Sequence, residues 1–241
     1  MRTSHQLGRW FLPAFIPLGL LMAGSACTPD PTPPPVVTPS RSVGGPPSDA
    51  VVLYSGGDLA SWSDMKGGPA PWMSEDGVMI VRPRSGNLRT RETFGDCQIH
   101  LEFKMPSPAK GKGQDRGNSG VYVQARYEVQ VLDSYESETY PDGQCGAIYK
   151  KHPPLVNASL PPGEWQTYDI IFRAARFDNS GKKTADAILT VFHNGVLIQD
   201  HAKVDAPTGA SGHDENPSPG PIMLQDHDHP VAYRNIWVRR L

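Results

Sequence analysis

No long stretch with helical amphipathic period runs through this chain. Its 24 glycines and 25 prolines, about a fifth of 241 residues, break regular elements too often for bundles or coiled coils. Charge of one sign is lacking too: 23 basic side chains stand against 25 acidic ones, a formal net charge of −2. That balance creates no field able to gather nucleic acid or anionic lipid, so no nucleic-acid partner is expected. No Gly-x-Gly-x-x-Gly sits between a strand and a helix, which removes the usual signature of a nicotinamide cofactor site. Cysteine is scarce, with only Cys27, Cys97 and Cys145.

The N-terminal segment reads as an address. Arg2 and Arg9 supply positive charge, Trp10 to Met22 is an apolar run of 13 residues, and small residues lead to Cys27. As a helix the run spans about 20 Å, short of a bilayer core of about 30 Å, so residues 1–26 fit a signal peptide rather than a permanent span. Cys27 after Ala23-Gly24-Ser25-Ala26 resembles a lipoprotein lipobox, with Gly24 where the pattern prefers Leu. The alternatives are a lipid on Cys27, anchoring the chain to a membrane, or cleavage after Ala26 with a plain thiol left. Both export the protein to the cell envelope. Residues 28–49 hold eight prolines, so residues 27–49 read as an extended linker and residues 50–241 as the folded domain. Within that domain Cys97 and Cys145 are either a disulfide or two buried thiols.

The domain reads as strands. Apolar runs alternating with period two recur at 51–54, 77–81, 97–105, 120–131, 167–173, 187–192, 196–199 and 236–241, with Gly, Pro and Asn between them. Asn194-Gly195 between two such runs suits a type I′ hairpin turn. The expected fold is all-β, a jelly-roll sandwich of two antiparallel sheets.

Several elements, in order, carry a resemblance: Leu53-Tyr54-Ser55-Gly56-Gly57-Asp58-Leu59, Gly117-Asn118-Ser119-Gly120-Val121, Arg126 through Tyr135, Gly146-Ala147-Ile148-Tyr149, Gly163-Glu164-Trp165-Gln166, Gln225-Asp226-His227 and Tyr233-Arg234-Asn235-Ile236. Over residues 50–241 they resemble the bacterial 3-keto-disaccharide hydrolase family. The resemblance implies a concanavalin-like lectin/glucanase jelly roll. It further implies action on 3-keto-glucosides, as a 1,2-lyase or as hydratase of the resulting 3-keto-2-hydroxy-glucal.

Such chemistry sets its own requirements. A C3 ketone acidifies the C2 hydrogen, and the glycosidic oxygen lies β to the carbonyl, so a base that takes the C2 proton expels the aglycone. The site needs a base, a donor or cation facing the enolate oxygen, and an acid for the leaving oxygen. On the strand Arg126 to Asp133, alternation puts Arg126, Glu128 and Gln130 on one face against Tyr127, Val129 and Val131. A bulge near Leu132 would bring Asp133 to the polar face. Glu128 or His227 is then the expected base, Asp133 the acid, and Arg126, Gln130, Gln225 and Asn118 the substrate-binding groups. A solvated outer face with an Arg126–Glu128 ion pair is the plain alternative.

The alternation Asp226/Asp228 and His227/His229 could seat a divalent cation; the plain alternative is an exposed turn before Pro230. Trp165 reads as core; His193 as positional; His152 and His213 as loop residues. An upstream sugar 3-oxidoreductase has to make the keto sugar. The rival function is a carbohydrate-binding module without catalysis.

Overall fold

The structure, a computed structural model, describes residues 33–209 and 211–241. The expected signal peptide and Cys27 lie outside the described residues. The compact unit spans Val37–Leu241.

In chain order the strands are β1 (Val51–Tyr54), β2 (Trp62–Asp64), β3 (Met73–Glu75), β4 (Val78–Ile80), β5 (Leu88–Thr90), β6 (Cys97–Lys104), β7 (Asn118–Val123), β8 (Tyr127–Leu132), β9 (Trp165–Arg173), β10 (Arg176–Phe177), β11 (Lys183–Ala185), β12 (Ala187–His193), β13 (Val196–Val204), β14 (Met223–Leu224) and β15 (Ala232–Arg240). Among the described residues the only helical turns are two short 3₁₀ segments. One sheet runs β13-β12-β9-β6-β15-β4-β3 with β1 beside β15; the other runs β2-β5-β14-β7-β8, and a two-stranded ribbon pairs β10 with β11. Every ladder is antiparallel, and the architecture is the expected all-β jelly-roll sandwich.

Period two decides what faces what. On β6, Ile99, Leu101 and Phe103 are fully buried, and on β9 so are Tyr168, Ile170 and Phe172. They share one apolar cluster with Tyr127, Val129 and Val131 of β8. Glu128 and Gln130, which alternate with them on β8, therefore point away from that core, on the outer face of the five-stranded sheet. Asn194 and Gly195 both have positive φ and close the β12–β13 hairpin as expected. Trp165 differs from its expected core role. It is half-buried, with the Lys104 ammonium 4.8 Å and the Arg234 guanidinium 4.0 Å from its ring. Cys97 and Cys145 are two buried free thiols; burial pushes Cys97 up to about 12, far from the thiolate that exchange chemistry needs.

The run expected as one strand over 120–131 is two, because the chain turns at Gln124-Ala125 with φ of 56° and 54°. Neither residue favours that region. Gln124 Nε2 donates to the Phe94 carbonyl, and Arg126 Nη1 donates to Gln124 Oε1 and to the Asn216 and Ser218 carbonyls, which ties the turn down.

Part of the proline-rich stretch is held against the domain rather than free. The Gly44 carbonyl accepts from Asn235 Nδ2 at 2.9 Å and Trp237 Nε1 at 2.8 Å, and Arg239 pairs with Asp49. A chain starting at Ala50 is therefore expected to fold but to be about 1–3 kcal/mol less stable than one starting at Val37, since two hydrogen bonds lose their acceptor. Urea midpoints of the two proteins check this.

Candidate active site

The hairpin β7–β8 builds the floor of the site. Its register pairs Tyr122 with Glu128, Gly120 with Gln130 and Asn118 with Leu132, without a bulge. Cross-strand partners share a face, so Asn118, Gly120 and Tyr122 lie beside Glu128 and Gln130. The next strand, β14, pairs Leu224 with Val121, and Gln225 N donates to the Gly120 carbonyl, which adds Gln225 to the same row. Edge strand β8 is covered by residues 146–149: Gly146 N donates to the Gln130 carbonyl, Gln130 N to Ala147 and Tyr149 N to Glu128. That segment brings Tyr149 over the edge.

Together these elements enclose a recess of about 70 Å³ lined by Gln114, Asn118, Glu128, Gln130, Tyr149, Gln225 and His227. Five expected site residues, from segments about a hundred positions apart, thus converge. A water occupies about 30 Å³, so the recess admits one edge of a pyranose rather than the whole ring.

Glu128 is 2% exposed. Burial, partly offset by a hydrogen bond from the Tyr122 hydroxyl, pushes its carboxyl up to about 7. Gly120 makes the room: a Cβ there would stand 2.5 Å from Glu128 Oε1. Removing the Tyr122 hydroxyl withdraws the one contact that favours the carboxylate, so Tyr122→Phe is expected to move the Glu128 midpoint upward. Carboxyl ¹³C NMR titration of the two proteins reads this directly.

The amides around Glu128 are oriented by named partners, two of them backbone carbonyls that can only accept. Gln114 Nε2 donates to the Gly143 carbonyl at 2.8 Å, which turns Gln114 Oε1 toward Gln130 Nε2 at 3.0 Å. Asn118 Nδ2 donates to the Gln114 carbonyl at 2.8 Å. Gln225 Nε2 donates at 3.1 Å to the Tyr122 hydroxyl, whose proton serves Glu128. Each amide commits one of its two N–H donors to a partner inside the protein. Asn118 Oδ1, Gln130 Oε1, Gln225 Oε1 and Glu128 Oε2 are left buried without a partner. Unpaired buried acceptors are costly, and four around one recess call for a ligand rich in donors, as the hydroxyls of a sugar are.

Two expected participants stand elsewhere. Arg126 ends the Gln124-Ala125 turn instead of lying on the strand, and its guanidinium serves that turn and the 216–218 loop. It neither pairs with Glu128 nor faces the recess. Asp133 follows β8 with no bulge to swing it inward, and its Oδ2 accepts from Arg116 Nε at 2.8 Å. Its carboxylate is engaged by that guanidinium and does not line the recess. The proposed cation ligands also diverge. Asp226 accepts from the Gly86 and Asp228 backbone N–H groups, and Asp228 lies 3.9 Å from Arg84. Among the described residues no group of three or more His, Cys, Asp and Glu side chains is placed to hold a metal. His227 is exposed at the mouth, its ring parallel to His229 at 6.1 Å.

Sequence reasoning missed Gln114 and Tyr122. Tyr122 had a signal, since it alternates with Asn118 and Gly120; Gln114 sits in a turn that carries none. His193 is buried in the core, bonded to Gln166 at 2.9 Å, and burial lowers it to about 4.

A two-sheet jelly roll with a buried acid in an acceptor-lined recess on one sheet's outer face is the class defined by these features. The chain belongs to the family of 3-keto-alpha-glucoside-1,2-lyase-like domains, matching it over residues 49–239. It is 42% identical to a "putative glycosyl hydrolase" from Parabacteroides distasonis, with a TM-score of 0.81 over 94% of this chain and 100% of that one. A second structure of that description and organism is 20% identical, with a TM-score of 0.61 over 80% of this chain and 94% of the other, and shares the fold. No curated protein matches the chain.

Proposed function

We propose that this protein is a hydrolase-like enzyme that opens 3-keto-glycosides by β-elimination, with Glu128 as the base. One observation carries the reading: a carboxyl held near neutrality by burial stands in a recess with four unpaired acceptor oxygens. Asn118, Gln130 and Gln225 accept from the sugar's hydroxyls and set its C2–C3 edge against Glu128. Glu128 takes the C2 proton and the charge passes to the C3 oxygen. His227 and Tyr149, whose hydroxyl shares a 2.8 Å hydrogen bond with Tyr140, are the donors lining the recess for that oxygen. As the C1–O bond breaks, a C1=C2 double bond forms, and the proton on Glu128 is available to the leaving oxygen. Water added across the product's double bond completes net hydrolysis.

A carboxyl poised at about 7 suits this double use, because base and acid forms coexist at neutral pH. No oxocarbenium ion forms, so the second carboxylate of ordinary glycosidases is not needed. We place the enzyme in the bacterial envelope, lipid-anchored through Cys27 and supplied by a sugar 3-oxidoreductase. The test is incubation of the purified protein with 3-keto-glucosides of both anomeric configurations, with and without chelator. Release of aglycone together with an unsaturated keto sugar is expected. Absence of both for all substrates overturns the reading.

A further inference from the structure

A buried charge normally lies against an opposite one, because a lone ion out of water is costly. Arg126 departs from that rule. It is 6% exposed, yet only neutral oxygens meet it: Nη1 donates to Gln124 Oε1 at 2.9 Å and to the Ser218 and Asn216 carbonyls at 3.1 and 3.4 Å. Among the described residues no carboxylate is in ion-pair contact with it, and its Nε and Nη2 make no hydrogen bond. Neither nitrogen is closed off from solvent. The guanidinium lines a hollow of about 260 Å³ together with Met65, Arg89, His213, Pro219 and Pro221. Arg89 is half-buried and likewise makes no ion pair among the described residues. Of the acids on the adjoining loop, Glu215 is taken by Lys183 and the Tyr127 hydroxyl, and Asp214 is exposed at the rim and paired with neither arginine.

We propose that this hollow is an anion site, separate from the recess, and that it takes a small organic carboxylate. Two guanidiniums facing one confined space repel each other, and an anion between them turns that repulsion into attraction. The unused Nε–Nη2 edge of Arg126 matches the two oxygens of a carboxylate in a pair of parallel hydrogen bonds. Its Nη1 contacts already hold that fork in place, which lowers the ordering cost of binding. Arg89 adds a second positive charge and His213 a further polar group. The volume lies just under the range of about 300–1,000 Å³ usual for pockets that hold drug-sized molecules, and Met65, Pro219 and Pro221 offer apolar wall to the body of the ligand. Bare phosphate leaves that wall unused. The site stands apart from Glu128 although both lie on the same sheet. Met223 pairs with Arg89 on one side and Tyr122 on the other, and Tyr122 pairs with Glu128. Tyr122 and Met223 are buried against each other and Ala125, so side chains fill the surface between the two openings. The proposal therefore does not depend on the keto-glycoside reading.

The experiment is calorimetry on the purified protein with three probes: glucuronate, glucose, which lacks the carboxylate, and inorganic phosphate, which lacks the body. Glucuronate is expected to bind with a Kd at least tenfold below the other two, and to weaken as salt is added. Arg89→Gln removes a side chain that bonds to nothing in the fold. It is expected to raise the glucuronate Kd tenfold or more while the circular dichroism spectrum stays the same. Arg126 holds its turn and is left intact; its Nε–H resonance in ¹⁵N NMR is expected to shift as glucuronate is titrated. Glucuronate no tighter than glucose, phosphate as tight as glucuronate, a Kd indifferent to Arg89→Gln, or an unmoved Arg126 resonance each overturns the proposal. Turnover does not enter these measurements, so failure of the keto-glucoside assay leaves their outcome standing.

Discussion

Glu128→Gln is expected to lower turnover of 3-keto-glucosides about a thousandfold or more while making the protein more stable. The loss follows from removing the only carboxylate in the recess, because positioned general bases contribute about 10²–10⁴ in rate. The gain follows from burial. The folded state raises the carboxyl from 4.5 to about 7, so between those values it binds a proton that the unfolded chain has released. Stability is then greatest below pH 4.5, falls as pH rises toward 7 and is level above it, where the penalty is about 3 kcal/mol. Glutamine carries no such penalty. Urea titrations at pH 4 and pH 8 check the sign: the variant should match the wild type at the lower pH and exceed it at the higher. Wild-type turnover should rise through a midpoint near 7. Full activity in Glu128→Gln would remove the base from the mechanism, and undiminished binding without turnover in either protein would leave a carbohydrate-binding module.

Gly120→Ala has the second largest effect, and it costs both stability and activity. The new methyl would stand 2.5 Å from Glu128 Oε1 and 2.8 Å from Tyr122 Cε2, both buried, so something must shift. Overpacking of this kind costs about 1–3 kcal/mol. The atom most easily displaced is the reacting carboxylate, and misplacement by about 1 Å costs about a hundredfold in rate. Turnover is therefore expected to fall a hundredfold with the fold intact by circular dichroism. An alanine variant of normal activity would show that the gap over Gly120 has no part in placing Glu128.

The legible parts of this molecule were those with period. Alternation along β8 put Glu128 and Gln130 on the face away from Val129 and Val131, and Asn194-Gly195 marked its hairpin. Where regularity ended, inference failed. Gln124 and Ala125 form a turn by adopting positive φ without glycine or asparagine, held by contacts to Phe94, Asn216 and Ser218 that are distant in sequence. That turn takes Arg126 off the strand face on which simple alternation puts it. Asp133 lacks the bulge that would turn it inward, and nothing local in the sequence announces its partner Arg116. Strands β2, β3, β5 and β14, of two or three residues, are too short to show a period. The recess was legible as a gathering of residue types, but the orientation of its amides depends on Gly143 and Tyr122, which only the folded chain brings near.

The stretch ending at Asp49 crosses the outer surface of the eight-stranded sheet, on Asn235 and Trp237, whereas the recess opens from the other sheet. A pull applied at Val37 is therefore borne first by the Gly44 and Asp49 contacts on the back of the sandwich.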